Sequence, residues 1–392
     1  MTAVNDSADV LYHPLNLAHT GDPEQRLATA RATCPVSTAA PRLHVVATNE
    51  LVREVLTTPE HFANRGNFTL TPDPPFDPNA VITSMDGAQH TAFRQFMRRW
   101  FAPVELRKQE GRIEQIVSRL LGGLEAGQSI EFVEQIARKV PAWTVYAFVG
   151  LPEEDWESIQ RWTDTIHDHL PNVPDGLPEQ VAFLGYLDEY VTRRAANPES
   201  RSEDLIDGLV FTPGMTPSEA AGHISQILNA GTATTTSLIS NLFYELLHDR
   251  RNWERLCADP ALVNAAVEES LRHDAPLQYA LRTVVDDTEI GGCPVHAGDR
   301  LVVSLQSANW DETVWGADAG EYDLDRGTPE PVMSFGNGIH TCLGAPLARL
   351  EAQVVLRRLV VAFPAMRLAE GFERHPAHDP MLRRPATLEV VL

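Results

Sequence analysis

The sequence has few cysteines and lacks a long apolar run. Four cysteines occur in 392 residues, and no two of them form a C-x-x-C pair. Scattered cysteines in a long chain disfavour both a disulfide framework and a zinc ribbon. No stretch reaches the roughly 18 consecutive apolar residues of a transmembrane helix, and the polar first residues lack the apolar centre of a signal peptide. We therefore expect a cytoplasmic protein that does not insert into a membrane.

Basic residues are also scarce. Lysine and arginine total 32 against 54 acidic residues, for a net charge of −22. Such a chain repels nucleic acids and anionic membranes as a whole, although a local basic patch remains compatible with this balance. Hydrophobic residues make up 43% of the chain, enough for a large core. Because no repeat, linker or composition shift divides the sequence, we expect a single domain over residues 1–392.

The hydrophobic periodicity predicts a mainly helical protein. Helices are expected over 216–248, 260–272 and 345–363, and strands over 44–48, 282–285 and 300–304. These strands suggest one small sheet near the N-terminus and a second one before the last cysteine. The centre of the longest helix, over 230–236, contains small and β-branched residues with poor helix propensity. A helix with such a centre is expected to pack there against something flat or bulky.

The most informative stretch is FGNGIHTCLG at 335–344, in which Cys342 lies among three glycines. Glycines allow unusual turns and close approach to a planar ligand. The predicted helix that follows would direct its N-terminal N–H groups and dipole at Cys342, favouring the thiolate. A thiolate is a good axial ligand for haem iron. The alternative is a buried cysteine in a glycine-rich turn, without a cofactor.

This segment resembles the haem-binding signature of cytochromes P450, Phe-Gly-x-Gly-x-His-x-Cys-x-Gly, and matches it at every fixed position. Glu269 and Arg272 resemble the family's Glu-x-x-Arg, and His90 and Arg94 its His-x-x-x-Arg. The resemblance implies a mainly α fold with small β-sheets, a triangular helix-rich prism. It also implies haem b between the long central helix and the helix after Cys342, the axial ligand.

The resemblance also assigns the groups around the haem. It nominates His90, Arg94, Arg282 and His340 as partners of the two propionates, whose charges need cationic or hydrogen-bonding donors. It includes three further cofactor-binding residues of the cysteine segment, which are Phe335, Gly336 and Gly344. Glu269 and Arg272 would brace this segment, whereas the alternative is an ordinary surface ion pair.

The oxygen-side helix departs from the family pattern. Gly231 would leave room for oxygen, and Thr234 lies at the position of the alcohol that assists its activation. Ala233 replaces the usual acidic residue. Water could replace that acid, in which case the enzyme hydroxylates its substrate. Alternatively, an N–H or O–H of the substrate takes part, and the enzyme forms a C–C or C–N bond or a ring without inserting oxygen. Both readings remain open.

Substrate contacts are expected from the segment over 64–84 and from three other places. The nominated residues are Asn67, Phe68, Ile82, Asn229, Gln278, Tyr279, Ala280, Met381 and Leu382, and the first segment also contains Leu70 and Phe76. Their mixture of aromatic, aliphatic and amide groups favours a medium-sized, partly polar aromatic substrate from specialised metabolism.

We expect electrons to come from a separate protein, since the residues after the cysteine segment are too few for a flavin or nicotinamide domain. We expect a ferredoxin and its reductase as donors to a monomeric enzyme, with an acidic ferredoxin docking on a basic patch near the cysteine side. The candidate residues are Arg94, Arg98, Arg99, Arg349, Arg357 and Arg358. The alternative is a set of solvated or internally paired arginines.

Two other classes of protein compete with this interpretation. A non-catalytic haem protein would need neither Thr234 nor Gly231 on the oxygen side. A zinc or thiol enzyme would use Cys342 with His340, but these residues are two positions apart and no ligand cluster with metal spacing accompanies them. Both classes are therefore disfavoured.

Overall fold

The computed structural model describes residues 10–20, 23–67, 69–74, 81–169, 176–202, 204–327, 330–377 and 379–392. The α-helices in these ranges are α1 (Leu17–Thr20), α2 (Glu24–Thr33), α3 (Asn49–Thr57), α4 (Gly87–Met97), α5 (Pro103–Leu121), α6 (Lys139–Val149), α7 (Trp156–Asp168), α8 (Pro178–Ala195), α9 (Leu205–Val210), α10 (Pro217–His248), α11 (Arg250–Ala258), α12 (Val263–His273), α13 (Leu305–Asn309), α14 (Glu312–Trp315) and α15 (Ala345–Ala362). The strands are β1 (Val36–Ala40), β2 (Leu43–Val46), β3 (Phe62–Ala63), β4 (Ser129–Glu131), β5 (Tyr279–Val284), β6 (Thr288–Ile290), β7 (Cys293–Val295), β8 (Arg300–Ser304), β9 (Arg367–Leu368) and β10 (Glu389–Val391).

The expected fold class, mainly helical with small sheets, is confirmed. The predicted helices over 216–248 and 345–363 correspond to α10 and α15. The helix predicted over 260–272 begins with the 3-10 turn Pro260–Leu262 and continues as α12. None of the helices in the described ranges combines the length and the apolar character that a bilayer crossing needs.

The prediction of two separate sheets was wrong. The three predicted strands correspond to β2, β5 and β8, which lie in one five-stranded sheet of order β1-β2-β8-β5-β3. In this sheet β2 pairs with β8 in parallel, and β5 pairs with β8 antiparallel. The β2–β8 pairing joins residues about 250 positions apart, and no local sequence pattern encodes such a partner. A second sheet has the order β4-β10-β9, and β6 pairs with β7.

Helix α10 crosses the molecule and belongs to two hydrophobic clusters. Its first half, to Leu228, packs with α6, α8 and α9, while residues from Leu238 onward pack with α5, α12 and α15. No residue from 229 to 237 belongs to either cluster. A capping box starts the helix, because the Thr216 hydroxyl accepts from the Glu219 N–H and the Thr216 N–H donates to the Glu219 carboxylate. The small-residue centre therefore lies between two well-packed halves.

Candidate functional site

The cysteine loop lies between the 3-10 turn Met333–Phe335 and α15, and backbone contacts define its path. The Cys342 N–H donates to the Phe335 carbonyl at 2.8 Å and closes the loop. Gly336 and Gly338 have positive φ values, of +68° and +74°. A Cβ atom on Gly338 would lie 2.5 Å from the Leu56 carbonyl oxygen of α3, so a side chain there would collide with backbone. The loop is thus held against α3 in a conformation that requires glycine.

Cys342 has a solvent-accessible side chain, although protein surrounds its other sides. Burial raises the pKa of the thiol, while the N–H groups of Gly344 and Ala345 and the charges of Arg94 and Arg349 lower it. The sequence-based expectation of a favoured thiolate was therefore only partly right. The helix N-terminus acts in the expected direction, but the loss of water outweighs it. A thiolate at this position needs a bound cation to compensate for that loss.

Two histidines from different elements meet beside the loop. The rings of His90, on α4, and His340 have centroids 4.0 Å apart. His340 Nδ1 lies 3.2 Å from the Asn64 amide nitrogen, and its Nε2 lies 3.3 Å from the Asp86 carboxylate. Both ring nitrogens of His90 are buried without a hydrogen-bond partner among the described residues. Burial, then the neighbouring His340 and Arg94, lowers the pKa of His90 to about 4. Sequence analysis did not identify Asn64, because no motif includes it.

Two arginines complete this group. Arg94 lies one helical turn after His90 and donates to the Thr341 carbonyl at 2.5 Å. Arg282, on β5, is buried and donates to the carbonyl of its neighbour Leu281 at 2.8 Å. Neither arginine forms an ion pair within the described ranges. Burial lowers the pKa of Arg282 to about 10, and the nearby Asp86 charge raises it.

The cysteine motif implies haem, and the unpaired groups beside the cysteine loop match what haem would offer them. The ring nitrogens of buried His90 need hydrogen-bond partners, and two arginines without carboxylate partners need anions, since unpaired buried polar groups and charges are costly. Cys342 needs a cation. Haem supplies both requirements, with iron for the sulfur and two propionates for the donors. The residues present therefore fit haem.

Glu269 and Arg272 form a buried pair on α12, with exposures of 5% and 1%. Two hydrogen bonds of 2.8 Å join their side chains. Arg272 also donates to the carbonyls of Asn309 and Ala319, at 3.1 and 2.6 Å. Asn309 in turn bonds the Met333 N–H at 2.7 Å, where the cysteine loop begins. The pair is thus connected to the loop, and the alternative of an exposed ion pair is wrong.

The centre of α10 has one open side. Ala230 is exposed and Ala233 and Thr234 are half-buried, whereas the residues from Thr235 to Leu242 are buried. The Thr234 hydroxyl donates to the Ala230 carbonyl at 2.8 Å, and the Ser237 hydroxyl donates to the Ala233 carbonyl at 3.0 Å. The helix therefore exposes small groups and one hydroxyl, and no acid accompanies them on this stretch of α10.

Gly231 lies on a different side of the same helix. A Cβ atom there would be 3.1 Å from Val145 Cγ2 of α6. Close packing of α10 on α6 thus gives a reason for glycine that the sequence analysis did not consider. Its predicted role in making room for oxygen remains a prediction.

Sequence reasoning also missed Glu351, an acid of the interior. It lies on α15 with an exposure of 2%, and one of its carboxylate oxygens is buried without a hydrogen-bond partner in the part of the chain that is described. Burial raises the pKa of this carboxyl well above its usual range. The available signal was weak, because Glu351 is the one acidic residue of α15 and lies one helical turn after Leu347 and before Val355, both buried.

The nominated substrate residues differ in their burial: some are half-buried, and those at the start of β5 and near Leu382 are mostly buried. Asn67, Ile82, Asn229 and Ala280 are half-buried. Phe68 lies outside the described residues, as does Phe76.

Strand alternation separates the residues of β5 and its neighbourhood. It places Gln278 and Ala280 on the side of Arg282, and Tyr279 on the other. Gln278 Oε1 is buried without a partner within the described ranges. Tyr279 is 1% exposed and packs with Met381 in a core cluster. Both residues lie in the core, and their predicted contacts with substrate remain predictions.

Leu382 is also buried, and it forms an isolated bridge with Leu277. That bridge brings the segment around Leu382 beside the start of β5. Its predicted contact with substrate remains a prediction.

The predicted six-arginine patch is smaller than expected. Arg357 pairs with Glu110 at 2.8 Å, and Arg358 pairs with Glu114 at 2.9 Å, both on α5. Arg349 pairs with Glu268 at 2.9 Å. Since Arg94 faces the cysteine loop, the remaining cations are Arg98, which is exposed, and Arg99.

Arg99 lies over the Trp100 ring at 3.8 Å and is exposed. Within the described ranges, neither Arg98 nor Arg99 forms an ion pair. The alternative of internally paired arginines is therefore correct for half of the patch.

Comparison with known proteins gives a consistent result. The sequence profile of the family described as cytochrome P450 matches residues 179–383. Cytochrome P450(MEG) of Priestia megaterium is 31% identical over 338 residues, which cover 83% of this chain and 82% of that protein. The vitamin D(3) 25-hydroxylase of Pseudonocardia autotrophica is 30% identical over 319 residues, with coverages of 81% and 77%.

A solved structure extends the likeness to the whole fold. Cytochrome P450 CYP109Q5 from Chondromyces apiculatus matches with a TM-score of 0.86 and 28% identity, over 96% of this chain and 97% of that one. The cysteine loop, the donors around it and the small-residue helix centre agree with this likeness. The chain therefore belongs to the cytochrome P450 family of haem-dependent monooxygenases.

Proposed function

We propose that this enzyme binds haem b and inserts one oxygen atom from O2 into a medium-sized, partly polar aromatic substrate. The observation that carries the cofactor assignment is the combination of accessible Cys342 with the donors His90 and Arg282, which have no anionic partner within the described ranges. The substrate class is supported by the half-buried amide and aliphatic groups of Asn67 and Ile82. A relative is named as a hydroxylase of vitamin D(3), which is also a medium-sized molecule.

When bound, haem supplies the iron chemistry that activates dioxygen with two electrons. Cys342 would supply the sulfur that binds the iron. His90, Arg94, Arg282 and His340 would hold the propionates. This arrangement neutralises charge where water is partly excluded, and it orients the cofactor.

Thr234 handles protons on the opposite side. Its hydroxyl donates to the Ala230 carbonyl, which leaves the oxygen lone pairs free to accept a hydrogen bond from water on the open side of α10. Rotation of the hydroxyl then passes a proton onward. Because Ala233 provides no carboxylate, water or the substrate must resupply Thr234.

The missing acid also supports a second candidate reaction. A substrate with its own N–H or O–H could take part in proton and hydrogen transfer, leading to C–C or C–N coupling or ring formation without net oxygen insertion. The observation that favours it is Ala233, together with threonine and serine hydroxyls that bond carbonyls of their own helix. A non-catalytic haem protein is a third candidate, and observed turnover would exclude it.

Two measurements test the proposal. The reduced, carbonyl-bound enzyme should show a Soret band shifted strongly to the red, which requires thiolate-ligated haem. Turnover with labelled O2 should then give products that gain one labelled oxygen atom. Products that contain no labelled oxygen would support coupling, and no turnover with any donor would support the non-catalytic reading.

The proposed electron donor is a ferredoxin with its reductase, acting on a monomeric single-domain enzyme in the cytoplasm. Arg98 and Arg99 would form the remaining docking site. Changing both to Glu should slow reduction by an acidic ferredoxin about tenfold at low salt, with an unchanged haem spectrum. The control Arg251→Glu/Arg255→Glu makes the same change in net charge on another surface. Equal effects of both double variants on the reduction rate would show that Arg98 and Arg99 do not form a docking site.

A further inference from the structure

Arg300 is a buried cation whose donors are all used by neutral acceptors. Its Nε donates to the Thr69 carbonyl at 3.0 Å, and its Nη2 donates to the carbonyls of Gly66 and Thr69 at 2.6 and 2.7 Å. Its Nη1 donates to the Arg65 carbonyl at 3.1 Å and to the Thr283 hydroxyl. Within the described ranges it forms no ion pair, and its exposure is 0%. Because all five N–H groups are used, Arg300 has none left for a ligand.

Such a cation is expensive to bury, and burial lowers the pKa of Arg300 to about 10, helped by the charges of Arg282 and Arg65. The compensating acceptors are mostly carbonyls close together in the chain, those of Arg65, Gly66 and Thr69. We call residues 65–74, apart from residue 68, the anchored segment. An arginine holds five N–H donors in a rigid plane, whereas a lysine has only three on a flexible stem, so lysine cannot make all of these hydrogen bonds.

The other end of the anchored segment is attached to the turn just before Arg300. The Asp73 N–H donates to the Gly298 carbonyl at 3.0 Å. Arg42 joins Asp73 Oδ1, at 3.2 Å, to Asp299 Oδ1, at 2.9 Å. Gly298 has a φ of +81°, and a Cβ there would overlap the Asp73 carboxylate. Gly66 is similarly restricted, since its Cβ would overlap Pro74.

The turn from Gly298 to Arg300 thus holds both ends of the anchored segment, and the segment carries Asn67. We infer that Arg300 is a positioning residue that fixes this wall of the substrate pocket and so helps to determine which molecules fit. This inference rests on the proposed function, which places Asn67 at the pocket. It predicts a fixed wall at the anchored segment rather than a mobile lid.

The test uses the holoenzyme and two iron-binding probes of different size. Imidazole reaches the iron without touching the pocket wall, whereas 4-phenylimidazole also contacts the wall. In Arg300→Lys the Kd for 4-phenylimidazole should rise about tenfold, as expected for the loss of one or two hydrogen bonds that hold the wall. The Kd for imidazole should stay within about twofold. Amide hydrogen exchange in the anchored segment should accelerate, and the matched surface variant Arg255→Lys should change none of these.

Thr283→Val provides a second variant in case Arg300→Lys does not retain haem. It removes the hydroxyl that accepts from Arg300 and donates to the Arg65 carbonyl at 2.7 Å. A selective loss of 4-phenylimidazole binding in either variant supports the inference. Equal changes for both probes, or no change in probe binding and exchange, would overturn it. A wild-type protein without the red-shifted carbonyl spectrum would instead refute the proposed function.

Discussion

The cysteine side and the oxygen side of the site are built in different ways. On the cysteine side, the backbone forms most of the structure: Cys342 bonds Phe335, and the Asn337 side chain accepts from the Gly338 N–H at 2.6 Å. On the oxygen side, α10 is regular and its hydroxyls bond carbonyls of the same helix. The open surface there consists of Ala230, Ala233 and Thr234.

This difference shows which properties each side controls. A rigid backbone loop leaves one chemical option, ligation of a metal by Cys342. A helix face with small side chains leaves space, and the molecule that occupies the space decides how protons are delivered. The cofactor is therefore determined more strictly than the reaction outcome.

The largest effect should come from Cys342→Ser. Because hydroxyl is a poor iron ligand, the variant should lose the red-shifted carbonyl Soret band completely. Cys293→Ser is the matched control. Cys293 lies on β7, outside the cysteine loop, so this variant should keep the band. A normal carbonyl spectrum in Cys342→Ser would show that Cys342 does not bind the iron.

The support behind the loop should be the next most sensitive. Arg272→Met leaves the Glu269 carboxylate buried with fewer partners, and should cost about 3–5 kcal/mol of unfolding free energy. Arg255→Met breaks an exposed pair with Asp325 and should cost less than about 1 kcal/mol. Urea unfolding of the two holoenzymes measures both values. Similar losses would mean that the buried pair does not brace the loop.

The oxygen side should respond to acid through His223 of α10, which stacks on Phe93 of α4 with centroids 4.1 Å apart. Burial lowers the pKa of His223 to about 4, and the nearby Glu219 raises it. The unfolded state, with a pKa of about 6.5, binds more protons between these values, so stability falls as the pH drops.

The total loss from His223 between these pKa values is about 3 kcal/mol. His223→Phe should lack this part of the pH dependence. Urea midpoints at neutral and acidic pH measure it, and parallel pH profiles for wild type and variant would contradict the prediction.

Placing an acid at position 233 tests whether proton supply on the oxygen side limits the reaction. Ala233→Asp should raise the fraction of reducing equivalents that ends in oxygenated product, by about tenfold if proton supply is limiting. Ala233→Asn has nearly the same shape without the acid and should not have this effect. The measurement is product formed per electron consumed, with any compound that the enzyme turns over. Equal behaviour of the two variants would show that water already replaces the acid.

The smallest effect concerns Gly231. In Gly231→Ala, the gain in helix propensity of about 1 kcal/mol is opposed by the close contact with Val145 of α6. The single variant should therefore be nearly neutral. In a Val145→Ala background the same change should stabilise the protein by about 1 kcal/mol, since the contact is relieved. A double-mutant cycle by urea unfolding measures the coupling, and its absence would remove the packing explanation for Gly231.

Local patterns predicted much of the fold and the cysteine side. The bounds of α10, β8 and α15 were close to those observed, because helical periodicity and alternation are local properties. The joining of β2 to β8 could not be predicted, since it depends on distant pairing. The burial of Tyr279 could not be predicted either, because the neighbours of each side of a strand depend on the rest of the sheet and on the helices that cover it.

The arginines show the same limit. Arg357 and Arg358 looked like an exposed basic patch, but their carboxylate partners come from α5, more than two hundred residues earlier. Asn64 and the buried Arg300 carry no motif, and only their contacts mark them as parts of the site. The position of a charged residue in the sequence does not predict which oppositely charged residue it will pair with in the fold.

By itself, the sequence determined the family, through its match to the haem-binding signature, together with the candidate ligating cysteine and the residue types available for haem. A local motif can carry this information because Gly336 and Gly338 adopt positive φ values that other residues avoid. The tertiary structure decided which cations in the described ranges remain without carboxylate partners, which side of β5 each residue faces, and how Arg300 holds the anchored segment. These properties depend on contacts between distant segments, and such contacts arise only when burial and hydrogen bonding are satisfied together.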